Sequence, residues 1–408
     1  MSNRNGSPTP PAWNFLLGVL SALIVFVLGA GLFWTYGHYA APRESEETPG
    51  RLYEEAWKII ESDYIGTLPS SAERTYGAIK GSVAKLDDPY SLFVEPEPAK
   101  REQEQLDGRF GGIGAYLTTG EDGRMRLDPM AGRPAETAGV VKDDILISVD
   151  GQTLPTPVDT EQTTNLLRGP IGTVVKITVL RGAQQLDFAI ERAEIELPSV
   201  TWRVLEQPPG EVLSPKPLGY VRIERFSALT GKELKQALAG VKEAGIKAGL
   251  ILDLRGNPGG LLDAGVAVAG DFLDGGPVLV ERQANGSQRT YNAPAGGDTA
   301  QGQMVVLVDG GTASAAEIVA GALQDRGRAR LVGEKTYGKG SVQHVHRLSD
   351  NSALHVTFAR WFTPKGQQID GHGLTPDVVV DVKSQPSAEG KDPILEAGIG
   401  LLQQSSPS

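Results

Sequence analysis

The first pattern along the chain is a block without polar relief. Phe15 to Trp34 is an almost unbroken apolar run of 20 residues, inside a stretch between Arg4 and Arg43 that holds no other charged side chain. At about 1.5 Å per residue a helix of that length covers the roughly 30 Å hydrocarbon core of a bilayer. Trp13 at one end and Trp34, Tyr36 and Tyr39 at the other fit an aromatic belt. A buried helix of a soluble domain rarely avoids charge for so long. A cleaved signal peptide is the competing reading, but its apolar core is typically shorter and no small-x-small cleavage site follows here. Arg4 lies on one side and Glu44, Glu46 and Glu47 on the other, so the positive-inside rule puts the short tail in the cytoplasm and the body outside.

Beyond that block the patterns are those of folded domains. Leu52, Ala56, Ile59 and Ile60 recur at helical spacing, as do Ile79, Val83 and Leu86, before the Asp87-Asp88-Pro89 break and a Pro-rich stretch to Pro98. From Phe110 to Arg192 the chain changes to short Gly-punctuated strands, among them Ile145–Val149 and Val174–Leu180, with an Asp150-Gly151 turn and a polar helical stretch over Asp159–Leu167. After Gly219 strands alternate with helices. Strands are predicted over Tyr220–Ile223, Leu250–Leu254 and Met304–Val308, and helices over Lys232–Ala244, Leu261–Ala269 and from Ala315 onward. Such alternation implies a parallel sheet with crossover helices. Gln207–Pro217 reads as a Pro-rich connection, and Gln385–Lys391 as a loop before a last short helix; there is no internal repeat.

Composition narrows the function classes. With 40% hydrophobic and 22% charged residues over 408, the chain is an ordinary globular protein of several domains. A net charge of −11 argues against nucleic-acid binding. The absence of cysteine excludes disulfides, zinc–thiolate sites, iron–sulfur clusters and a thiol nucleophile.

The chemistry-bearing candidates sit where predicted strands end. Met304–Val308 runs through Gly310-Gly311 toward a helix beginning at Ser314, and a hydroxyl at a helix N-terminus meets free N–H groups and a favourable dipole. That suits a nucleophile; equally, Ser314 with Glu317 three residues on is a capping-box pattern that need only satisfy backbone donors. A base could be histidine, but His344, His346 and His355 lie in strand-like alternation, His38 borders the apolar run, His372 sits between glycines, and no Gly-x-Ser-x-Gly elbow occurs. The alternative is Lys339 on the glycine-flanked turn Tyr337–Gln343, because burial in a dry pocket disfavours the ammonium form and would let a neutral amine take the serine proton. Gln343 could orient that amine; a solvated turn lysine is the bland alternative. Gly333–Lys339 nearly matches a Walker A loop, but Gly340 replaces the Ser or Thr that would hold magnesium, and no His-Glu-x-x-His is present. Asp253–Gly260 supplies a glycine loop at a strand end, able to bring backbone N–H groups close to a carbonyl or simply to turn the chain.

Three motifs in fixed order, Asp253–Gly260 (DLRGNPGG), Gly311–Ile318 (GTASAAEI) and Gly333–Gln343 (GEKTYGKGSVQ), together resemble the carboxyl-terminal processing, or tail-specific, proteases, which are serine endopeptidases with a Ser–Lys dyad. Gly371–Asp377 (GHGLTPD) resembles a closing motif of the same family. The resemblance implies that Ser314 is the nucleophile, Lys339 the general base, Gln343 the residue that positions it, and Gly260 with the Ala315 amide the oxyanion hole. It also implies a PDZ domain in which Phe110, Gly111, Gly112, Ile113 and Gly114 form the carboxylate-binding loop, taking free C-termini by β-augmentation, with Arg168 coupling peptide binding to the active site. Asp143-Asp144 departs from the common Gly-Asp pair there and leaves the local turn in question. The expected architecture is multidomain α+β: a cytoplasmic tail (1–12), a transmembrane anchor (13–36), a helical segment (37–104), a PDZ domain (105–194), an α/β serine protease core of crotonase-like ββα spiral (195–384), and a C-terminal loop and short helix (385–408). No cofactor or metal is required. Polypeptides with free C-termini and the membrane are the expected partners. The helical segments before residue 104 and after Lys391 are candidates for a homodimer contact or for simple capping. Two rival functions share the scaffold: a non-catalytic PDZ adaptor, and a crotonase-like enzyme acting on acyl thioesters.

Overall fold

The computed structural model describes residues 48–205, 217–247, 249–295, 302–382 and 392–404. The apolar run 15–34, almost all of the connection 207–217 and the loop 385–391 lie outside the described residues. Among the described residues no helix is long and apolar enough to cross a membrane. Two compact units are separated at Thr75/Tyr76. The first contains helix α1 (Thr48–Asp63) and the start of α2 (Ser71–Val83), where Arg74 pairs with Glu61 at 3.0 Å and lies over the Trp57 ring.

The second unit continues with β1 (Leu92–Val94) and helix α3 (Pro96–Asp107), which starts on a proline whose missing N–H costs nothing in the first turn. A β-rich module follows: β2 (Arg109–Gly112), β3 (Ala115–Thr119), β4 (Met125–Pro129), the short helix α4 (Pro134–Thr137), β5 (Asp144–Val149), β6 (Gln152–Thr153), α5 (Thr160–Leu167), β7 (Val174–Arg181), β8 (Gln184–Glu191) and β9 (Ala193–Glu196). Its main sheet runs β3-β4-β5-β7-β8, with β6 on β5, so β3 is an edge. Alternate positions of β7, Val175, Ile177 and Val179, join Leu127, Leu146, Val149 and Ile190 in one fully buried core. The departure at Asp143-Asp144 has a physical answer. Asp143 adopts the left-handed φ of 67° that a glycine would take, and Asp144 is buried against Arg181, whose Nε and a terminal nitrogen donate to it at 2.8 and 2.7 Å.

The core domain adds β10 (Val200–Leu205), β11 (Leu218–Ile223), α6 (Thr230–Glu243), β12 (Leu250–Asp253), α7 (Leu262–Phe272), β13 (Pro277–Gln283), β14 (Gln288–Asn292), β15 (Met304–Val308), α8 (Ala315–Asp325), β16 (Arg330–Gly333), β17 (Ser341–Arg347), β18 (Ala353–Phe362), β19 (Val378–Val379) and α9 (Pro393–Gln404). The sheet order is β10-β11-β12-β15-β16-β19, parallel from β11 through β19. Both faces are covered, which is why these strands read as continuous apolar runs. Leu252, Val306 and Val308 point into a core shared with α6, α7 and α8, whereas Ile251, Val305 and Leu307 point to the other face beneath Ile394, Ile399 and Leu402 of α9. A second sheet carries β1, β18, β13 and β14, with β17 also on β18. Because β12, β15 and β16 are parallel, the loops after all three emerge at the same edge of the sheet. Leu252→Ala, at a fully buried position of a central strand, is expected to cost about 2–5 kcal/mol, seen as a lower urea midpoint of the core transition.

Candidate active site

Each of the three loops is cross-linked by buried polar side chains. In the loop after β12, Asn257 is fully buried; its amide donates to the Ile223 carbonyl and its side-chain oxygen accepts from the Gly259 N–H, both at 2.8 Å. The Asn257 carbonyl then accepts from the Ala313 N–H at 2.9 Å, which ties this loop to the residue before Ser314. Asp309 accepts from the Gly256 and Gly311 N–H groups at 2.8 and 2.9 Å. At the loop's base the fully buried Asp253 is held by Tyr220 and Arg255, and Arg255 reaches on to Asp392 at the start of α9.

Ser314 caps α8 with φ 53°, a left-handed conformation that costs a non-glycine residue on the order of 1–3 kcal/mol. The capping box with Glu317 is formed, the Ser314 N–H donating to the Glu317 carboxylate at 3.0 Å. That carboxylate does much more. It is completely buried, and it also accepts from the Thr336 hydroxyl (2.5 Å), the Gly338 N–H (2.8 Å) and the Lys339 N–H (2.9 Å). One carboxylate thus fixes the backbone of Ser314 and of Lys339 together. Burial pushes the Glu317 carboxyl above its ordinary value of 4.5, against the pull of those four hydrogen bonds. The motif Gly371–Asp377 supports the same turn: the Leu374 N–H donates to the Thr336 hydroxyl at 2.7 Å, and the Gly371 N–H to the Gly338 carbonyl at 2.9 Å. A Cβ on Gly373 would lie 2.4 Å from the Thr336 carbonyl oxygen, so that approach requires glycine.

Ser314, Gly259, Gly260, Lys339 and Gln343 all line one cavity of about 860 Å³. A Cβ on Gly259 would stand 2.7 Å from that of Ser314 and 3.0 Å from the Ala315 nitrogen, so only glycine lets the loop lie against the serine. Gly260, at φ 138°, bridges to Phe226, whose carbonyl accepts the Leu261 N–H at 2.8 Å. The N–H groups of Gly260 and Ala315 donate to no protein acceptor among the described residues. Lys339 is half-buried. Its amine makes no hydrogen bond to the Ser314 hydroxyl and lies over the Tyr90 ring, 5.5 Å from the centroid. The tyrosine is set by Asp88, which accepts from the Tyr90 and Ser91 N–H groups at 3.1 Å. Gln343 donates to the Ser341 hydroxyl at 2.7 Å rather than to Lys339. Sequence reasoning missed Glu102 and set His355 aside as a strand residue, yet the two approach within 3.3 Å of each other in the cavity wall; the His355 contact holds the Glu102 carboxyl below its usual range.

In the β-rich module, Phe110–Gly112 runs as strand β2 paired with β9, and only Ile113 and Gly114 follow as open loop before the β3 edge. Arg168 lies over the Phe110 ring, 4.2 Å from its centroid, and 3.6 Å from Glu104 of α3. Gly111 admits the close approach of this segment: a Cβ there would meet the Gly169 carbonyl oxygen at 2.1 Å.

A helix-terminal serine and a lysine thus line one cavity, in a chain that also carries a β-rich module with an open strand edge. Comparison with known proteins gives the family. Residues 217–380 match Peptidase family S41 and residues 127–181 match a PDZ domain. The chain is 34% identical over 365 residues to a carboxyl-terminal-processing protease of Synechocystis sp., covering 86% of this chain and 83% of the relative. It is 35% identical to a probable CtpA-like serine protease of Staphylococcus aureus over 92% of this chain and 74% of that one. Among solved structures, a photosystem II D1 C-terminal processing protease aligns with a TM-score of 0.48 at 31% identity, over 86% of this chain and 97% of the other. The chain belongs to peptidase family S41, the carboxyl-terminal processing proteases, and is a serine-type peptidase with a PDZ domain.

The raised Glu317 pKa has a sign that can be read in stability. A carboxyl with a higher pKa folded than unfolded contributes stability that is complete below the unfolded value and is lost as pH climbs through the folded one. Urea unfolding of the wild type is therefore expected to show this loss as pH rises from about 4.5, and Glu317→Gln to lack that component; an unchanged pH slope in the variant contradicts the assignment.

Proposed function

We propose that this protein is a membrane-anchored, extracytoplasmic endopeptidase that binds the free C-terminus of a polypeptide through its PDZ domain and cleaves by a Ser314–Lys339 dyad through an acyl-enzyme. The observation that carries the reading is the bond set of Glu317, which holds the backbones of the helix-terminal serine and of the lysine on one carboxylate at the edge of one cavity.

In the mechanism Ser314 Oγ attacks the scissile carbonyl carbon while the neutral Lys339 amine takes its proton. The carbonyl oxygen gains negative charge, and the Gly260 and Ala315 N–H groups, with the N-terminal end of α8 behind them, stabilise it. Collapse expels the amine, which receives the proton from Lys339; water then repeats the sequence on the acyl-serine. The amine must leave the Tyr90 ring to reach Ser314, a side-chain rotation with no change at its tethered N–H. Gln343, on the next strand, lines the same cavity and is the residue we assign to orienting the amine once it moves. Peptide recognition is supported by the β3 edge next to the Ile113-Gly114 loop, where a C-terminal segment could add as a strand with its carboxylate on loop N–H groups. Arg168 bridges that loop to α3 and so is the residue through which a bound tail would reach the cavity. Membrane anchorage rests on the apolar run 15–34, and the positive-inside rule orients it.

Ser314→Ala and Lys339→Ala are each expected to lower kcat on an unstructured peptide with an apolar free C-terminus by a thousandfold or more, a loss of about 4 kcal/mol in transition-state stabilisation, while leaving its affinity for the PDZ domain intact. A fluorophosphonate probe should label the wild type and not the serine variant. Peptide binding with no labelling and no turnover would point instead to an adaptor.

A further inference from the structure

The cavity that holds Ser314 and Lys339 is also lined by Glu281, which the mechanism does not use. Glu281 lies on β13 between β14 and β18, and it is 5% exposed. Its two oxygens accept from the Tyr291 hydroxyl at 2.9 Å and the Gln283 side-chain amide at 3.3 Å. Both donors are neutral, and among the described residues no lysine, arginine or histidine lies within ion-pair distance of it. Other ionisable groups of this cavity have engagements of their own: Glu102 with His355, Arg225 with Gln105, and the Lys339 amine over Tyr90. Arg289 stands directly across from Glu281 in the β13–β14 register, yet its guanidinium stacks on the Tyr291 ring, 4.5 Å from the centroid, instead of pairing.

A buried carboxylate without a cation is costly, and it keeps lone pairs unused beyond the two occupied here. The surface beside it is apolar. Trp361, set edge-on to Tyr291 at 6.2 Å, lines the same cavity together with Leu262 and Phe358. An aliphatic stem that ends in a cation satisfies both features, the methylenes against the aromatic and leucine surface and the head on the carboxylate. A neutral side chain of equal length fills the space and leaves the charge unpaired, and an acidic one adds repulsion.

We propose that Glu281 is a specificity determinant that selects substrates carrying a lysine or arginine side chain close to the scissile bond. The proposal rests on the reading of this cavity as the peptidase site. A volume of about 860 Å³ takes several residues of a peptide, so the test scans positions.

The experiment uses the full chain and peptides with one common apolar free C-terminus, in which lysine, norleucine or glutamate is placed at each of three positions on either side of the cleaved bond. At one position the wild type is expected to favour lysine over norleucine by about tenfold in kcat/KM, and over glutamate by on the order of a hundredfold. The nearly isosteric Glu281→Gln should collapse the lysine-to-norleucine ratio toward one, and Glu281→Lys should turn the preference toward glutamate. Tyr291→Phe, which removes only a hydrogen bond to the carboxylate, should keep the lysine preference. A merely structural Glu281 would lower all peptides alike and leave the ratio intact, which overturns the proposal. So does a wild type with no lysine preference at any position, a measurement that needs no variant to fold. Cleavage that persists undiminished in Ser314→Ala overturns the peptidase reading and this proposal with it, whereas serine-dependent cleavage without the preference overturns this proposal alone.

Discussion

The arrangement of the site depends on one buried carboxylate. Glu317 accepts four hydrogen bonds, from two segments about twenty residues apart in sequence: the N-terminus of α8 and the turn that leads into β17. Burying a carboxylate is expensive unless its lone pairs are filled, so the site is close to all-or-none. If the turn moved away, three donors and the acceptor would lose partners at once in a dry environment. The same bonds hold Ser314 in its unfavourable φ, because its N–H is committed to the carboxylate that also holds the lysine turn. Strain at Ser314 is thus offset by satisfaction of a charge behind it.

That constraint works only because the sheet delivers its loops to one place. In a parallel α/β sheet the strand ends form a crevice at one edge, and here the loops after β12, β15 and β16 supply the two glycines, the serine and the lysine respectively. Hydrogen bonds between loops replace the order that a continuous element would give. The Ala313 N–H reaches Asn257, Asp309 gathers Gly256 and Gly311, and the Tyr337 N–H donates to Thr312 at 3.0 Å. Glycine is required where backbones meet: Gly259 against Ser314, and Gly373 against Thr336. A single methyl at either point would separate loops that must stay in contact.

Much of this was legible in the chain. Met304–Val308 appears with the bounds its apolar run suggests, since a strand covered on both faces has no polar position to blur its ends. The helix start at Ser314 was visible as a capping pattern. What was not visible is that Glu317 serves a turn more than twenty residues away, because a capping box has the same sequence whether or not its carboxylate has further partners. The second sheet was mostly illegible. Strand β13 carries Glu281 amid Pro277–Gln283, where alternation is broken by a bulge near Pro277, and its role as a cavity wall follows from pairing with β18 some eighty residues later. Resemblance to PDZ domains made Phe110–Gly114 the carboxylate-binding loop, yet its first part pairs with β9, a partner no local pattern reveals.

Between the PDZ domain and the cavity the structure interposes a single helix. On α3, Glu104 faces Arg168, and Arg168 covers Phe110 of β2. One residue further on, Gln105 bonds Arg225 in the cavity wall, and Glu102 approaches His355 there. A helix is stiff over twelve residues, so one rigid body presents Glu104 to Arg168 and Glu102 and Gln105 to the cavity. On one side the part-buried Glu104 meets Arg168, and on the other Glu102 meets the mostly buried His355 while the Leu106 carbonyl accepts the Ala228 N–H at 2.8 Å, so directional bonds hold the helix on both sides.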